Sequence, residues 1–381
     1  MVQDLMNLYP SIGDLRLRAR QRIPYFAWEY LDSGTGADEC VRRNREALEA
    51  VTLIPQFMKG VFEPDISTQL FGTDYAVPFG VSPVGLTALM WPHAERILAT
   101  AAAAQRFPYT LSTAATEAPE TIGPIADGMG WFQLYPPRRT EIRRDLLVRA
   151  RDAGFTTLIV TADTPKVSRR ERQVRAGVRV PPKIDLRMLY RCAIRPAWSW
   201  ATLVAGSPRF RGLEKYIKGG DMQDMLTFIG KELGGTLDWK YLEAVRQEWD
   251  GALVLKGVMR IDEAERAVTI GCDGIMVSNH GGRQFDGAPA AITVLPGIAR
   301  AVGSRANILF DSGLRGGLDI DRALALGADF ALLGRAFMYG VAALGRRGGD
   351  HVAEILADDL RNNMTQLGCA TLRELRNRVT T

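Results

Sequence analysis

Residues 306–335 read ANILFDSGLRGGLDIDRALALGADFALLGR. The two apolar runs, Ala306–Asp311 and Phe330–Gly334, are of strand length and do not alternate with polar residues, which is the pattern of strands covered on both faces. Between them, Asp319–Gly327 has helical spacing and ends on a glycine stop. Strand, helix and strand in this order form the repeat of a parallel sheet. Working outward, the same unit recurs. Strands are expected at Val77–Ser82, Phe107–Ser112, Trp131–Tyr135, Thr156–Thr161, Ala252–Lys256 and Gly274–Ser278. Helical stretches separate them at Glu95–Arg106, Thr140–Ala153, Trp239–Asp250 and Asp262–Ile270, with Gly154, Gly251 and Gly271 as stops. Eight strand–helix alternations predict an α/β protein with a (β/α)8 TIM barrel. A dinucleotide fold is disfavoured, because no G-x-G-x-x-G follows the first strand.

Two segments stand outside the repeat, and the whole chain, 1–381, reads as one barrel domain around them. Residues 1–76 form an N-terminal extension with a helical stretch at Pro24–Leu31. Residues from about 166 to 238 form an insertion after the fourth strand, far longer than a usual βα loop. The formal charge of +5 and the 46% hydrophobic content exclude a disordered tail, a collagen and a disulfide-stapled miniature. A chain this long buries about 75% of its extended surface and needs no metal or disulfide staple. Cys40, Cys192, Cys272 and Cys369 form no C-x-x-C pair, and Met1–Pro10 shows no signal peptide, so a reduced protein facing the cytoplasm is expected. Ala323–Gly345 comes nearest to a membrane span, but Asp329 and Arg335 interrupt it, and a buried strand, a loop and a helix fit better.

The charge is unevenly spread. Between Lys166 and Gly220 stand 14 basic and three acidic residues, and the rest of the chain is net acidic. No nucleic-acid reader motif accompanies this charge, so nucleic acid is not an expected partner. Trp198-Ser199-Trp200 and Met188-Leu189-Tyr190 lie among the arginines, a composition suited to an anionic membrane surface. An active-site cover with its charge solvated or used between subunits is the competing expectation.

Barrel enzymes carry their chemistry at the C-terminal strand ends. All eight ends bear small or polar groups, as at Ser82-Pro83-Val84-Gly85, Ser112-Thr113, Gln133-Leu134-Tyr135 and Thr161-Ala162-Asp163. The others are Lys256-Gly257, Ser278-Asn279-His280, Asp311-Ser312-Gly313 and Gly334-Arg335. Ser312, Gly313, Arg315 and Gly334-Arg335 offer backbone N–H groups and guanidinium ions, the makings of a phosphate site. The three histidines, His93, His280 and His351, lack metal-ligand spacing, so no metal is expected. His280, flanked by glycines, is the candidate base, and Arg283 can hold a carboxylate in a fork. His93 and His351 are expected at the surface.

The strings SNHGGRQFDG (278–287), LKGV (255–258), DSGLRGG (311–317) and LLGRA (332–336) resemble the FMN-dependent 2-hydroxy-acid dehydrogenase and oxidase family. The likeness runs from Tyr30-Leu-Asp-Ser-Gly34 to Gly368. It implies FMN across the strand ends, with Pro83, Val84 and Gly85 along the flavin and Ser112, Gln133 and Thr161 bonded to its ring edge. Lys256 would sit at the pyrimidine end and Ser278 near the ribityl chain. Asp311, Ser312, Gly313, Arg315, Gly334 and Arg335 would bind ribityl and phosphate.

By the same resemblance, Arg283 and Tyr30 hold the carboxylate of a 2-hydroxy acid, while Tyr135 and Arg170 contact its hydroxyl or carboxylate side. His280 acts as base and Asp163 pairs with the imidazolium. Hydride transfer and prior loss of the Cα proton stay equally open. Glycolate oxidase has Trp where this chain has Ala114 and Ala where it has Gly85, and Leu86–Pro92 resembles mandelate dehydrogenase. The resemblance therefore implies a large substrate such as (S)-mandelate, with L-lactate second. It further implies a homotetramer on the cytoplasmic side of the inner membrane, passing electrons to a quinone or other acceptor. A soluble cytoplasmic oxidase reducing O2 is the alternative.

Overall fold

In the computed structural model, which describes residues 4–166, 168–178, 185–217, 228, 230–233 and 237–379, eight parallel strands close into a barrel. A hairpin of β1 (Thr68–Leu70) and β2 (Thr73–Tyr75) precedes them. The staves are β3 (Phe79–Val81), β4 (Tyr109–Ser112), β5 (Gly130–Leu134), β6 (Thr157–Thr161), β7 (Ala252–Val258), β8 (Gly274–Val277), β9 (Asn307–Phe310) and β10 (Phe330–Leu333). They neighbour one another in chain order, and β3 pairs with β10 through Phe79↔Ala331 and Val81↔Leu333 to close the ring. Each predicted run forms a stave, with ends moved by at most two residues. Every residue of β4, β5, β6, β8 and β10 is buried, as unalternating apolar runs require.

The hairpin helps close the lower, N-terminal end of the barrel. Phe71 at its turn lies 6.0 Å from the Trp131 ring, and Tyr75 lies 5.6 Å from Phe330. A Cβ at Gly274, the first residue of β8, would come within 2.8 Å of the Phe71 ring, so β8 must begin with glycine. The chemistry is left to the other end.

Among its described residues the N-terminal extension holds four helices, α1 (Leu5–Leu8), α2 (Ile12–Arg22), α3 (Tyr25–Asp32) and α4 (Glu39–Glu49). The predicted stretch Pro24–Leu31 is α3. A reciprocal cap between Ser11 and Asp14 starts α2. After α3 the chain crosses to the upper face, where Thr35 N–H donates to Gly282 O at 3.1 Å.

The described part of the insertion contains helices Glu171–Ala176, Leu186–Ala193 and Pro196–Ala205. The predicted insertion at 167, 179–184, 218–227, 229 and 234–236 lies outside the described residues. Among the described residues no helix is long and apolar enough to cross a membrane.

Three expectations need correction. His351 is buried, not at the surface, with its Nε2 2.9 Å from Tyr9 O. Gly251 is no helix stop. The helix ends at Glu248, and Gly251 instead permits close approach to Thr156 O, which a Cβ would meet at 2.6 Å. In Ala323–Gly345 the helix begins at Arg335, so Gly334 alone connects it to β10.

Candidate active site

A cavity of about 570 Å³ opens at the C-terminal end of the barrel, within the roughly 300–1,000 Å³ typical of ligand and cofactor sites. Its floor comes from strand ends: Pro83, Val84 and Gly85 after β3, Thr161 on β6 and Lys256 on β7. One end is formed by Asp311, Ser312, Gly313 and Arg315 after β9, with Gly334 and Arg335 after β10. Tyr30, Ala114, Tyr135, Arg170, His280 and Arg283 line it elsewhere. Seventeen residues read from scattered strand ends and loops thus meet on one surface.

Four predicted site residues stand behind that surface. Ser112 Oγ donates to Gln133 Oε1 at 2.7 Å, and Gln133 Nε2 donates to Thr161 Oγ1 at 2.8 Å, so this buried chain orients Thr161 from below. Ser278 Oγ accepts from Lys256 Nζ at 2.7 Å and from His280 N–H at 3.0 Å. Asp163 lies beneath His280, with Nδ1 2.8 Å from its Oδ1.

β7 prepares this pair. Its register to β8 shifts between Lys256 and Val258. At the irregularity, Gly257 takes φ +96°, and a Cβ there would come 2.6 Å from Asp163 Cβ. Glycine is needed for both the backbone sign and the space. Burial pushes the His280 imidazole below its ordinary value, more than Asp163 restores, so the ring is held neutral. Burial alone would raise the Asp163 carboxyl, but the His280 ring and the Lys256 ammonium together draw it below the usual range. An ionised Asp163 keeps the proton on Nδ1 and leaves the Nε2 lone pair free. Tyr135 Oη lies 3.5 Å from that nitrogen, and its own ionisation is pushed up by burial.

The loop carrying His280 is bound on both sides. Ser312 Oγ accepts from Asn279 N–H at 3.2 Å and Gly281 N–H at 3.1 Å, and donates to Asp311 Oδ1 at 2.9 Å. On the other side the Asn279 and Asn44 amides bond reciprocally, at 2.7 and 2.9 Å. Asn44 belongs to α4, and the sequence reading missed it. Gln284, Met90, Arg138 and Leu233 also line the cavity without having been read as site residues. Gln284 sits within SNHGGRQFDG, so position alone could have flagged it.

The cavity is strongly cationic. Arg283 Nη1 donates to Tyr30 O at 2.9 Å and Ser33 O at 3.0 Å, and no bond engages its other nitrogens among the described residues. Burial, aided by Arg170 and Arg335, lowers Arg283 to about 9. Burial and the Arg315 charge likewise lower Arg335. Arg335 spans Leu31 O, Gly281 O and Ser33 O at 3.1, 2.8 and 2.9 Å. The cavity's carboxylates are already committed: Asp311 pairs with Lys256 at 3.2 Å and Asp163 with His280. Guanidinium groups crowded out of bulk water without carboxylates call for anions.

A barrel with such a basic cavity and an imidazole–carboxylate pair defines an enzyme that takes anions at its strand ends. The profile of a family described as FMN-dependent dehydrogenase matches residues 19–381. L-lactate dehydrogenase of Ectopseudomonas mendocina (strain ymp) is 38% identical over 364 residues, 95% of this chain and 96% of that one. A crystal structure of the monotopic membrane protein (S)-mandelate dehydrogenase superimposes with a TM-score of 0.93 at 30% identity, covering 97% of this chain and 98% of the other. A mandelate oxidase structure gives 0.83 at 32% identity, over 97% and 98%. The chain belongs to the FMN-dependent dehydrogenase family, the 2-hydroxy-acid dehydrogenases and oxidases that its motifs resemble, and its cofactor is FMN.

The residues present fit that group. Arg315 and Arg335 at the β9–β10 end match a phosphate dianion. Two glycines keep the wall free of side chains: a Cβ at Gly334 would stand 3.2 Å from Val84 Cγ2, and one at Gly85 3.1 Å from Ala114 Cβ. Lys256, tied to Ser278 and Asp311, supplies a fixed positive charge at the cavity floor.

Proposed function

We propose that this enzyme oxidises a large (S)-2-hydroxy acid, (S)-mandelate or one like it, to the 2-oxo acid and passes the electrons to a quinone or other membrane acceptor. The observation that carries the chemistry is the His280–Asp163 pair facing the same cavity as Arg170 and Arg283. Bound FMN supplies the two-electron acceptor. Arg283, fixed through one nitrogen to Tyr30 O and Ser33 O, offers its remaining N–H groups to the substrate carboxylate, and Arg170 adds a second cation. Tyr30, whose hydroxyl donates to Gly85 O at 3.1 Å, stands beside the same carboxylate. His280 Nε2 takes a proton from the substrate, and Asp163 stabilises the imidazolium that forms. Tyr135, un-ionised, donates to the hydroxyl oxygen. Lys256, fixed at the cavity floor, would balance negative charge taken up by the bound flavin.

The missing side chain at Gly85 and the short one at Ala114 support a large substrate. L-lactate is the second reading, supported by the relative named for it. Anaerobic bleaching of the flavin by a panel of 2-hydroxy acids decides between them, with (S)-mandelate expected to bleach faster than L-lactate. The reverse order overturns the substrate reading. Repeating the turnover in air separates the acceptors: a quinone analogue should be reduced with little peroxide, and stoichiometric peroxide would establish an O2-reducing oxidase.

Attachment to an anionic membrane surface is supported by the insertion. Leu186, Leu189, Tyr190, Trp200, Leu203 and Val204 are all exposed on its helices, with Arg187 among them and Arg209 in the loop that follows. The higher superposition score of the monotopic membrane dehydrogenase than of the oxidase agrees with this. The location read here is the cytoplasmic side of the inner membrane, and the assembly a homotetramer, which light scattering measures.

A further inference from the structure

The insertion returns to the barrel across the cavity mouth and is fastened there. Pro137, in the loop after β5, pairs antiparallel with Leu233, and Arg138 N–H donates to Glu232 O at 2.8 Å. Arg139 forms an ion pair with Glu232 at 3.0 Å, and its guanidinium lies 5.8 Å from the Phe228 ring. Phe228 stacks on Tyr216 at 6.4 Å, and Tyr216 is bonded to Arg149 and Asp145. This return segment is therefore anchored to the barrel at its backbone, its charges and its rings.

Leu233 lines the same cavity as Ala114, Tyr135 and His280. Among the described residues it is the one apolar side chain that the insertion contributes to that wall. The carboxylate end of a 2-hydroxy acid is claimed by Arg170 and Arg283, and its reacting carbon by His280. The substrate's side chain must then lie away from these groups, against the apolar part of the wall. Ala114 and Leu233 both belong to that wall, the first with a short side chain and the second with an apolar surface. A methyl group offers little surface for such a contact, whereas a phenyl ring or long alkyl chain offers much.

We propose that Leu233 is a specificity-determining residue that covers the outer end of the substrate's side chain, held in place by the Pro137–Leu233 pairing and the Arg139–Glu232 ion pair. This rests on the reading of the cavity as a 2-hydroxy-acid site. Leu233 selects for bulk through KM without touching the reacting atoms. Glu232 and Arg139 are positioning residues.

The test compares anaerobic flavin reduction by (S)-mandelate and by L-lactate in the native holoenzyme and in Leu233→Ala, Leu233→Met and Glu232→Gln. Leu233→Ala should lower kcat/KM for mandelate roughly 10-fold or more, the usual scale for a lost apolar contact in a pocket, mainly through KM. Lactate should change by less than about 2-fold on the same scale. Leu233→Met should restore mandelate, and Glu232→Gln should shift the ratio the same way but less. Bound flavin, read by its absorbance and fluorescence, should be unchanged in all three. A parallel fall for both substrates, an unchanged ratio or lost flavin overturns the proposal. A native enzyme that prefers lactate overturns the substrate reading instead, and leaves the change in ratio to judge Leu233 separately.

Discussion

His280 occupies left-handed backbone at φ 56°, followed by Gly281 and Gly282 at 62° and 75°. A non-glycine residue in that region is strained and persists only where its surroundings enforce it. Here the enforcement comes from Ser312 on one side of the loop and, through Asn279, from Asn44 on the other. The imidazole is held neutral by burial, so proton uptake below its lowered pKa removes the base. The kcat/KM profile should therefore fall on an acid limb whose midpoint lies below 6.5, the ordinary histidine value. His280→Gln should keep FMN and slow flavin reduction about 10²–10⁴-fold, the scale of general-base catalysis. Near-normal reduction in a stopped-flow trace would refute the assignment. His280 and Arg283 were legible because they share one short glycine-rich string. Asn44 was not, because it meets Asn279 across 235 residues of chain.

At the scale of elements, the staves were legible and the N-terminal helices largely were not. The strands are buried on both faces and so announce themselves as continuous apolar runs. α2 carries Arg16, Arg18, Arg20 and Arg22, and its buried stripe is only Ile12, Leu15 and Ala19. So narrow a stripe is easily mistaken for a polar surface segment. Yet this extension reaches the site: α4 delivers Asn44 to the catalytic loop, and Thr35 in the turn after α3 donates a hydrogen bond to Gly282 O. Asn44→Leu leaves the Asn279 amide buried with partners missing, a cost of about 1–3 kcal/mol. The expected result is a lower melting temperature together with a reduced kcat, the loop no longer holding His280 over Asp163. A variant with native stability and native kcat would show that α4 does not position the loop. The bulge on β7 was beyond sequence reading, since Lys256-Gly257 carries no sign of which strand will press Asp163 against it.

For the whole molecule, the uneven charge seen in the sequence acquires a place. The insertion that carries much of the basic excess also carries exposed Trp200, Leu203 and Val204, while Trp198 on the same helix is buried, with its Nε1 donating to Leu89 O at 3.1 Å. The helix is thus fixed to the barrel by one side and presents the other. The native protein should co-sediment with vesicles rich in phosphatidylglycerol at low salt and release as ionic strength rises. Trp200→Ser with Leu203→Ser and Val204→Ser should abolish sedimentation while dye-coupled turnover stays native. A native protein left in the supernatant would end the membrane reading.

The seam between β3 and β10 sets the order in which the protein is assembled. The first stave is complete at Val81 and its partner at Leu333, so during synthesis β3 stays without its closing neighbour while the remaining staves are made. At about 5–20 residues per second that interval is on the order of 10–50 s. Val84 and Gly334, which face each other in the finished cavity, flank this seam. A nascent chain halted before β10 lacks Gly334 and Arg335, and with them one side of the phosphate end of the cavity.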